Sequence, residues 1–156
     1  MKHVDIYTDG SCLSNPGPGG WCAILTYNGF EKVISGGSPN STNNRMELMA
    51  TVQALSALKE SCDITLISDS KYVIDSLSMG WAASWKNNKW KKADKSVAQN
   101  TDLWDILLSL IEKHNIEYVW VKGHAGHPYN ERCDKIAQEE SHKYDVGVKD
   151  EKQTKK

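Results

Sequence analysis

The chain has 156 residues, of which 39% are hydrophobic and 25% charged, a composition that excludes disordered, fibrous and membrane-embedded classes and fits one soluble globular domain. At this length roughly 70% of the unfolded surface can be buried, so a core needs neither disulfides nor a partner. The formal net charge of −1 gives no global sign of a nucleic-acid partner, and any electrostatic argument must rest on local charge.

In chain order, Val4-Asp5-Ile6-Tyr7-Thr8-Asp9 alternates like a strand that delivers Asp9 to its carboxyl end, before Gly10-Ser11 and the turn-rich Asn15-Pro16-Gly17-Pro18-Gly19-Gly20. Trp21 to Tyr27 and Phe30 to Ile34 are β-rich runs joined by Asn28-Gly29, a pair that favours a type I′ hairpin. After a polar loop from Gly36 to Asn44, the run Arg45 to Lys59 carries Leu48, Met49, Val52 and Leu55 at helical spacing, with Ser41, Thr42 or Asn43 as N-cap and Glu47 in the first turn. Ile64 to Ser68 reads as a strand stopping at Asp69, and Tyr72 to Leu77 as the start of a helix. Trp81 to Ser96 loses periodicity. Thr101 to Lys113 is helical, Ile116 to Val121 a fifth strand, Gly123 to Pro128 a loop, and Asn130 to Tyr144 a last helix with Asp134 in its first turn.

This order predicts an α/β fold: a five-stranded mixed sheet, an antiparallel meander plus parallel strands, flanked by helices. Residues 1–144 form a single domain in this reading, and 145–156 a charged, flexible tail. Cys12, Cys22, Cys62 and Cys133 show no metal-module or disulfide spacing. The amino terminus lacks the apolar region of a signal peptide, and no run approaches the ~18 apolar residues of a membrane span. A cytoplasmic, membrane-free protein is the expectation, and a monomer, since no surplus apolar stripe is visible.

Asp9 and Asp69 each close a strand, and crossover connections would make those strands parallel neighbours with both carboxylates at one sheet edge. Glu47 and Asp134 can converge on that edge. Four carboxylates in one cleft repel unless cations sit among them, and Mg²⁺, which prefers oxygen ligands, suits such a set. Each residue also has a plainer reading: Asp9 as a turn residue, Asp69 as an N-cap, and Glu47 and Asp134 as complements to helix dipoles. Spacing alone leaves the choice open.

The string Tyr7-Thr8-Asp9-Gly10-Ser11-Cys12-Leu13-Ser14-Asn15-Pro16-Gly17-Pro18-Gly19-Gly20-Trp21 closely resembles the opening of type 1 ribonuclease H. Three further blocks resemble that family in the same order: Thr42 to Leu48, Ser68 to Val73, and Val121 to His127 with Asn130 to Asp134. The resemblance implies the ribonuclease H-like fold and an endonuclease that hydrolyses the RNA strand of an RNA/DNA hybrid, leaving 3′-hydroxyl and 5′-phosphate ends. It implies Asp9, Glu47, Asp69 and Asp134 as metal-binding catalytic carboxylates for two Mg²⁺ ions, with Mn²⁺ as an alternative. It adds His124 as a catalytic loop histidine able to move protons near neutral pH, and Asn15, Thr42, Asn43 and Asn44 as contacts to the hybrid.

Trp81, Trp85 and Trp90 alternate with Lys86, Lys89, Lys91, Lys92 and Lys95, a local basic strip. Lysines there would neutralise phosphates and indoles pack on sugars. An amphipathic helix with core tryptophans is the plain alternative. In the resembled family this region is a basic protrusion gripping the DNA strand, which assigns Trp81, Trp85, Lys86, Lys89 and Trp90 to nucleic-acid binding. The rival readings are an integrase- or transposase-like nuclease on the same superfold, a non-catalytic hybrid-binding module, and a domain whose acidic cluster holds a structural cation.

Overall fold

The computed structural model describes residues 1–123 and 126–145. Strands β1 (Lys2–Cys12), β2 (Gly17–Tyr27) and β3 (Phe30–Ser41) form the meander; helix α1 (Asn43–Ser56) crosses to β4 (Cys62–Ser68). Helices α2 (Lys71–Ser78), α3 (Trp81–Asn87) and α4 (Thr101–Ile111) precede β5 (Asn115–Trp120), and α5 (Pro128–Lys143) closes the order. The five strands lie in the order β3-β2-β1-β4-β5, with β1 antiparallel to β2 and parallel to β4. The mixed sheet predicted from the sequence is the one observed, with its two crossovers carried by helices as parallel strands require.

Several boundaries differ from the sequence expectation. The segment from Gly36 to Ser41, read as loop, continues β3, because Gly36 and Gly37 pair with Trp21 and Gly20 of β2. Glycine and serine weaken a strand in isolation, and here the ladder to a long neighbour overrides that preference. The hairpin turn at Asn28-Gly29 is as expected, with φ of 52° and 86° at the two residues.

The two faces of the sheet are packed differently. Alternation along β1 sends Val4 and Ile6 toward α1 into a cluster with Leu48, Val52, Leu55, Leu66, Val73, Trp104 and Leu107. Tyr7 instead joins Cys22, Ile24, Cys133 and Ala137 beneath α5. The α5 helix is seated by a Tyr7–Tyr129 ring stack at 4.6 Å and a Cys133 thiol donating to the Tyr7 carbonyl at 3.3 Å. Helices on both faces leave the carboxyl ends of β1 and β4 as the edge where side chains from both layers meet. No helix among the described residues is long and apolar enough to cross a membrane.

Candidate active site

The parallel ladder between β1 and β4 ends at the pair Thr8 and Ser68. Asp9 and Asp69 are the next residue in each chain, so register alone puts the two carboxylates side by side. β1 itself runs on to Cys12 against β2, so Asp9 lies inside a strand and is not the turn residue that a strand stopping at Gly10 would make it. Asp69 is not the cap of α2 either: that role belongs to Ser70, whose hydroxyl accepts from the Val73 N–H at 3.2 Å.

Glu47 reaches the same place from the opposite layer. Thr42 caps α1 by accepting from the Arg45 N–H at 3.2 Å, which makes Asn43 the first helical residue. Glu47 is then the fifth residue, in the second turn and not the first as the sequence reading had it. There it is too far along the helix for the dipole to account for it. The backbone of α1 passes so close over Gly10 that a Cβ at that position would collide with the Met46–Glu47 peptide. A glycine at this one position lets the helix descend far enough for Glu47 to reach Asp9.

One ligand oxygen from each of Asp9, Glu47 and Asp69 lies within 4.8 Å of the others. Asp9 is 6% and Glu47 8% exposed, a burial that charged carboxylates avoid unless compensated. Burial, foremost, and the nearby charges of Asp69 and Asp134 push the Asp9 carboxyl up to about 7, against the lowering effect of hydrogen bonds from Glu47 and the Gly10 N–H. Glu47 is held well above the usual carboxylate range, first by burial and then by the charge of Asp9. Both carboxyls are thus held toward their protonated forms when no cation is present.

Glu47 Oε2 is buried with no hydrogen-bond partner among the described residues. A buried carboxylate oxygen without a donor, beside two further carboxylates, matches what a hard divalent cation requires and what a proton-sharing structural pair does not. The residues present therefore fit a metal.

Asp134 stands one step back from this trio. It is the seventh residue of α5, in the second turn and not the first, since the helix begins at Pro128. It is close enough to raise the Asp9 carboxyl electrostatically, while its Oδ2 accepts from Gln138 Nε2 at 3.0 Å. His124 lies outside the described residues.

Beyond the carboxylates, Asn15 Oδ1 accepts from the Asn43 N–H at 3.1 Å, and Asn43 Oδ1 from the Cys12 N–H at 2.8 Å. These reciprocal bonds lock the β1–β2 loop to the start of α1, leaving Thr42, Asn43 and Asn44 exposed on one rim. Sequence reading missed Arg45 here: its guanidinium forks onto Asp102 at 2.6 and 3.0 Å and donates to Asn100 Oδ1 at 3.2 Å, tying this rim to α4. An arginine beside a cap gives no sequence sign of a partner 57 residues away.

The basic strip is partly helix and partly a tight loop. Trp81 is 46% exposed, whereas Trp90 packs partly against the core and Trp85 meets Trp104 edge-on at 6.0 Å. Lys92 lies over the Trp85 ring at 5.8 Å, and with Tyr72, Ser76 and Trp81 they line a hollow of about 460 Å³. Lys89 is exposed, and Lys86 is paired with Asp105 at 2.8 Å. An exposed pair of this kind contributes little and yields readily to a phosphate.

Comparison with known proteins agrees with this geometry. A family model described as RNase H matches residues 1–142. The chain is 53% identical over 134 residues to a Ribonuclease H of Nitratidesulfovibrio vulgaris strain DP4, covering 86% of each, and 56% identical over 137 residues to that of Salmonella arizonae, covering 88% of each. Among solved structures it superposes on LC9-RNase H1, a type 1 RNase H, with a TM-score of 0.81 and 27% identity, over 92% of this chain and 74% of that one. LC11-RNase H1, solved in complex with an RNA/DNA hybrid, shares the fold at a TM-score of 0.67 and 18% identity, over 90% and 97% of the two chains. With a family match over nearly its whole length and relatives above half identity, the chain belongs to the RNase H family.

Proposed function

We propose that this protein is a metal-dependent endonuclease that hydrolyses the RNA strand of RNA/DNA hybrids. The observation that carries the reading is the trio of buried Asp9 and Glu47 with half-buried Asp69, in which one Glu47 carboxylate oxygen lacks a donor among the described residues. A solved relative holding an RNA/DNA hybrid supports the substrate class. In the reaction a water oxygen bonds to phosphorus and the bond from phosphorus to the 3′ oxygen breaks, leaving 3′-hydroxyl and 5′-phosphate ends.

Asp9, Glu47 and Asp69 would hold the metal, with Asp134 joining them from α5. Mg²⁺ is the cation this oxygen-only set suits, with Mn²⁺ as a substitute. When bound, it supplies charge neutralisation at the scissile phosphate and a more acidic water. The chain's own contribution is to pre-assemble oxygens from both layers of the fold, so that little reorganises on binding. His124, which precedes α5 in the sequence, is of a residue type that fits a proton carrier near neutral pH. The rim of Asn15, Thr42, Asn43 and Asn44 is a polar surface able to contact sugars and phosphates. Trp81, Trp85, Lys86, Lys89 and Trp90 form a second surface that suits the DNA strand without reading sequence. We further assign a monomer in the cytoplasm, in keeping with free thiols at all four cysteines.

The test is cleavage of a strand-labelled hybrid in Mg²⁺. Cutting of RNA alone, lost in Asp9→Asn and in EDTA, is the expected result. An intact hybrid across Mg²⁺ and Mn²⁺, with binding retained, would replace this reading by a non-catalytic hybrid-binding module.

A further inference from the structure

Trp120 makes two contacts that no role described so far uses. It is the last residue of β5, paired with Ser68 at the end of β4. Its indole N–H donates to the Asp69 carbonyl at 2.9 Å. The face of the same ring lies beneath the Lys71 ammonium, 4.8 Å from the centroid. One side chain thus fixes the backbone of a carboxylate in the trio and the position of a cation two residues further on.

Lys71 is out of place on local grounds. It is the first residue of α2, at the positive end of the helix dipole, and the first turn of α2 has no acidic residue. An exposed lysine would ordinarily turn to water there, since its long stem loses much freedom when held. The aromatic face holds it by a cation–π contact, which leaves ammonium protons free to meet an oxygen acceptor. Carbonyl anchoring makes the ring a rigid platform, so the ammonium is stationed at the rim where Asp69 sits.

We propose that Trp120 is a positioning residue that stations Lys71 to bind a phosphate of the bound hybrid beside the carboxylate trio. This rests on the RNase H reading above and adds a cation to a site otherwise built from carboxylates. Lysine suits the task as a point charge that takes a phosphate oxygen without demanding one planar geometry. Each phosphate neutralised by such a residue adds nearly one to the slope of log affinity against log salt.

The experiment titrates the full-length protein with a fluorescent RNA/DNA hybrid in Ca²⁺, the RNA verified intact, from about 50 to about 200 mM salt. Parent, Lys71→Gln, Trp120→Leu, Trp120→Phe and the Lys71→Gln/Trp120→Leu double variant are compared. Lys71→Gln should flatten the slope by about 0.9, which shrinks the loss of affinity across that salt range roughly threefold. Trp120→Leu should flatten it in the same direction, and the double variant should go no further than Lys71→Gln. Trp120→Phe keeps the face but not the donor, so it should keep the parental slope while raising the Mg²⁺ concentration for half-maximal cutting. A parental slope in Lys71→Gln, which touches only an exposed side chain, overturns the proposal whatever the tryptophan variants do. If the parent itself neither binds nor cuts hybrid, the RNase H reading falls. If it cuts and Lys71→Gln is indistinguishable from it, only the present inference falls.

Discussion

Replacing Asp9 by asparagine should abolish activity and, in the absence of metal, make the protein more stable. The native carboxyl sits at about 7 and its ordinary value is 3.8. Between those values the folded protein keeps a proton that the unfolded chain has released, so stability falls as pH rises through that window. Above it both states are ionised, and the folded state carries the full penalty. The difference corresponds to about 4 kcal/mol at about pH 8, an upper bound because Asp9 and Glu47 titrate as an interacting pair. Asparagine has nearly the same shape, cannot ionise, and can still meet Glu47 through a hydrogen bond. Half of the bound would still raise Tm by roughly 4–8 °C for a chain of this size. The assay is thermal and urea denaturation of parent and Asp9→Asn in EDTA from about pH 4 to about pH 8. The gain should be large at the alkaline end and vanish below the ordinary carboxylate range. Adding Mg²⁺ should stabilise the parent, by mass action on the native state, and the variant much less. A variant no more stable than the parent at about pH 8 in EDTA, or a gain independent of pH, would refute the claim that the trio is strained without a cation.

The remaining predictions address the scaffold and the strip. Gly10→Ala should destabilise the protein by about 1–3 kcal/mol or displace α1, because its Cβ meets the Met46–Glu47 peptide; denaturation and half-saturating Mg²⁺ read the two effects, and an unaltered metal requirement in a well-folded variant would contradict the role given to this glycine. His114 accepts the Cys62 N–H at 3.1 Å, and burial, with help from Lys113, pulls it below its ordinary 6.5. Its contribution to stability is therefore fully present above about pH 6.5 and lost as pH falls toward the depressed native value. His114→Asn should flatten the stability profile between about pH 5 and about pH 7 relative to the parent, measured by urea unfolding, and an unchanged difference across that range would count against it. Trp81→Ala, at an exposed indole, should weaken hybrid binding about tenfold with little change in kcat, matching the loss of a sugar-packing surface of about 1–2 kcal/mol; a fall in kcat alone would place Trp81 elsewhere in the reaction.

Much of the architecture was legible in local patterns. Alternation along β1, the Asn28-Gly29 turn and the apolar spacing of Leu48, Val52 and Leu55 depend on neighbours within a few residues, and these gave the element order and the mixed sheet. The pairing of Asp9 with Asp69 was legible too, because right-handed crossovers leave little freedom in how two such strands lie together. Helix starts were less so. Glu47 and Asp134 both fall two residues deeper than expected, since α1 starts at Asn43 and not Arg45, and α5 at Pro128 and not Asn130. The extension of β3 through Gly36 and Gly37 was invisible because its cause is the partner strand.

By itself the sequence determined the elements, their order and the residue types available to bind a cation, since these follow from torsional preference, periodicity and side-chain chemistry. Only the tertiary structure decided that Gly10 lets α1 bring Glu47 to Asp9, that three carboxylates cluster while Asp134 stands back, and that Trp120 unites Asp69 with Lys71. Those are contacts between residues tens of positions apart. They exist because two layers close over one sheet edge, and burial there raises carboxyl groups to values that no local stretch of chain can impose.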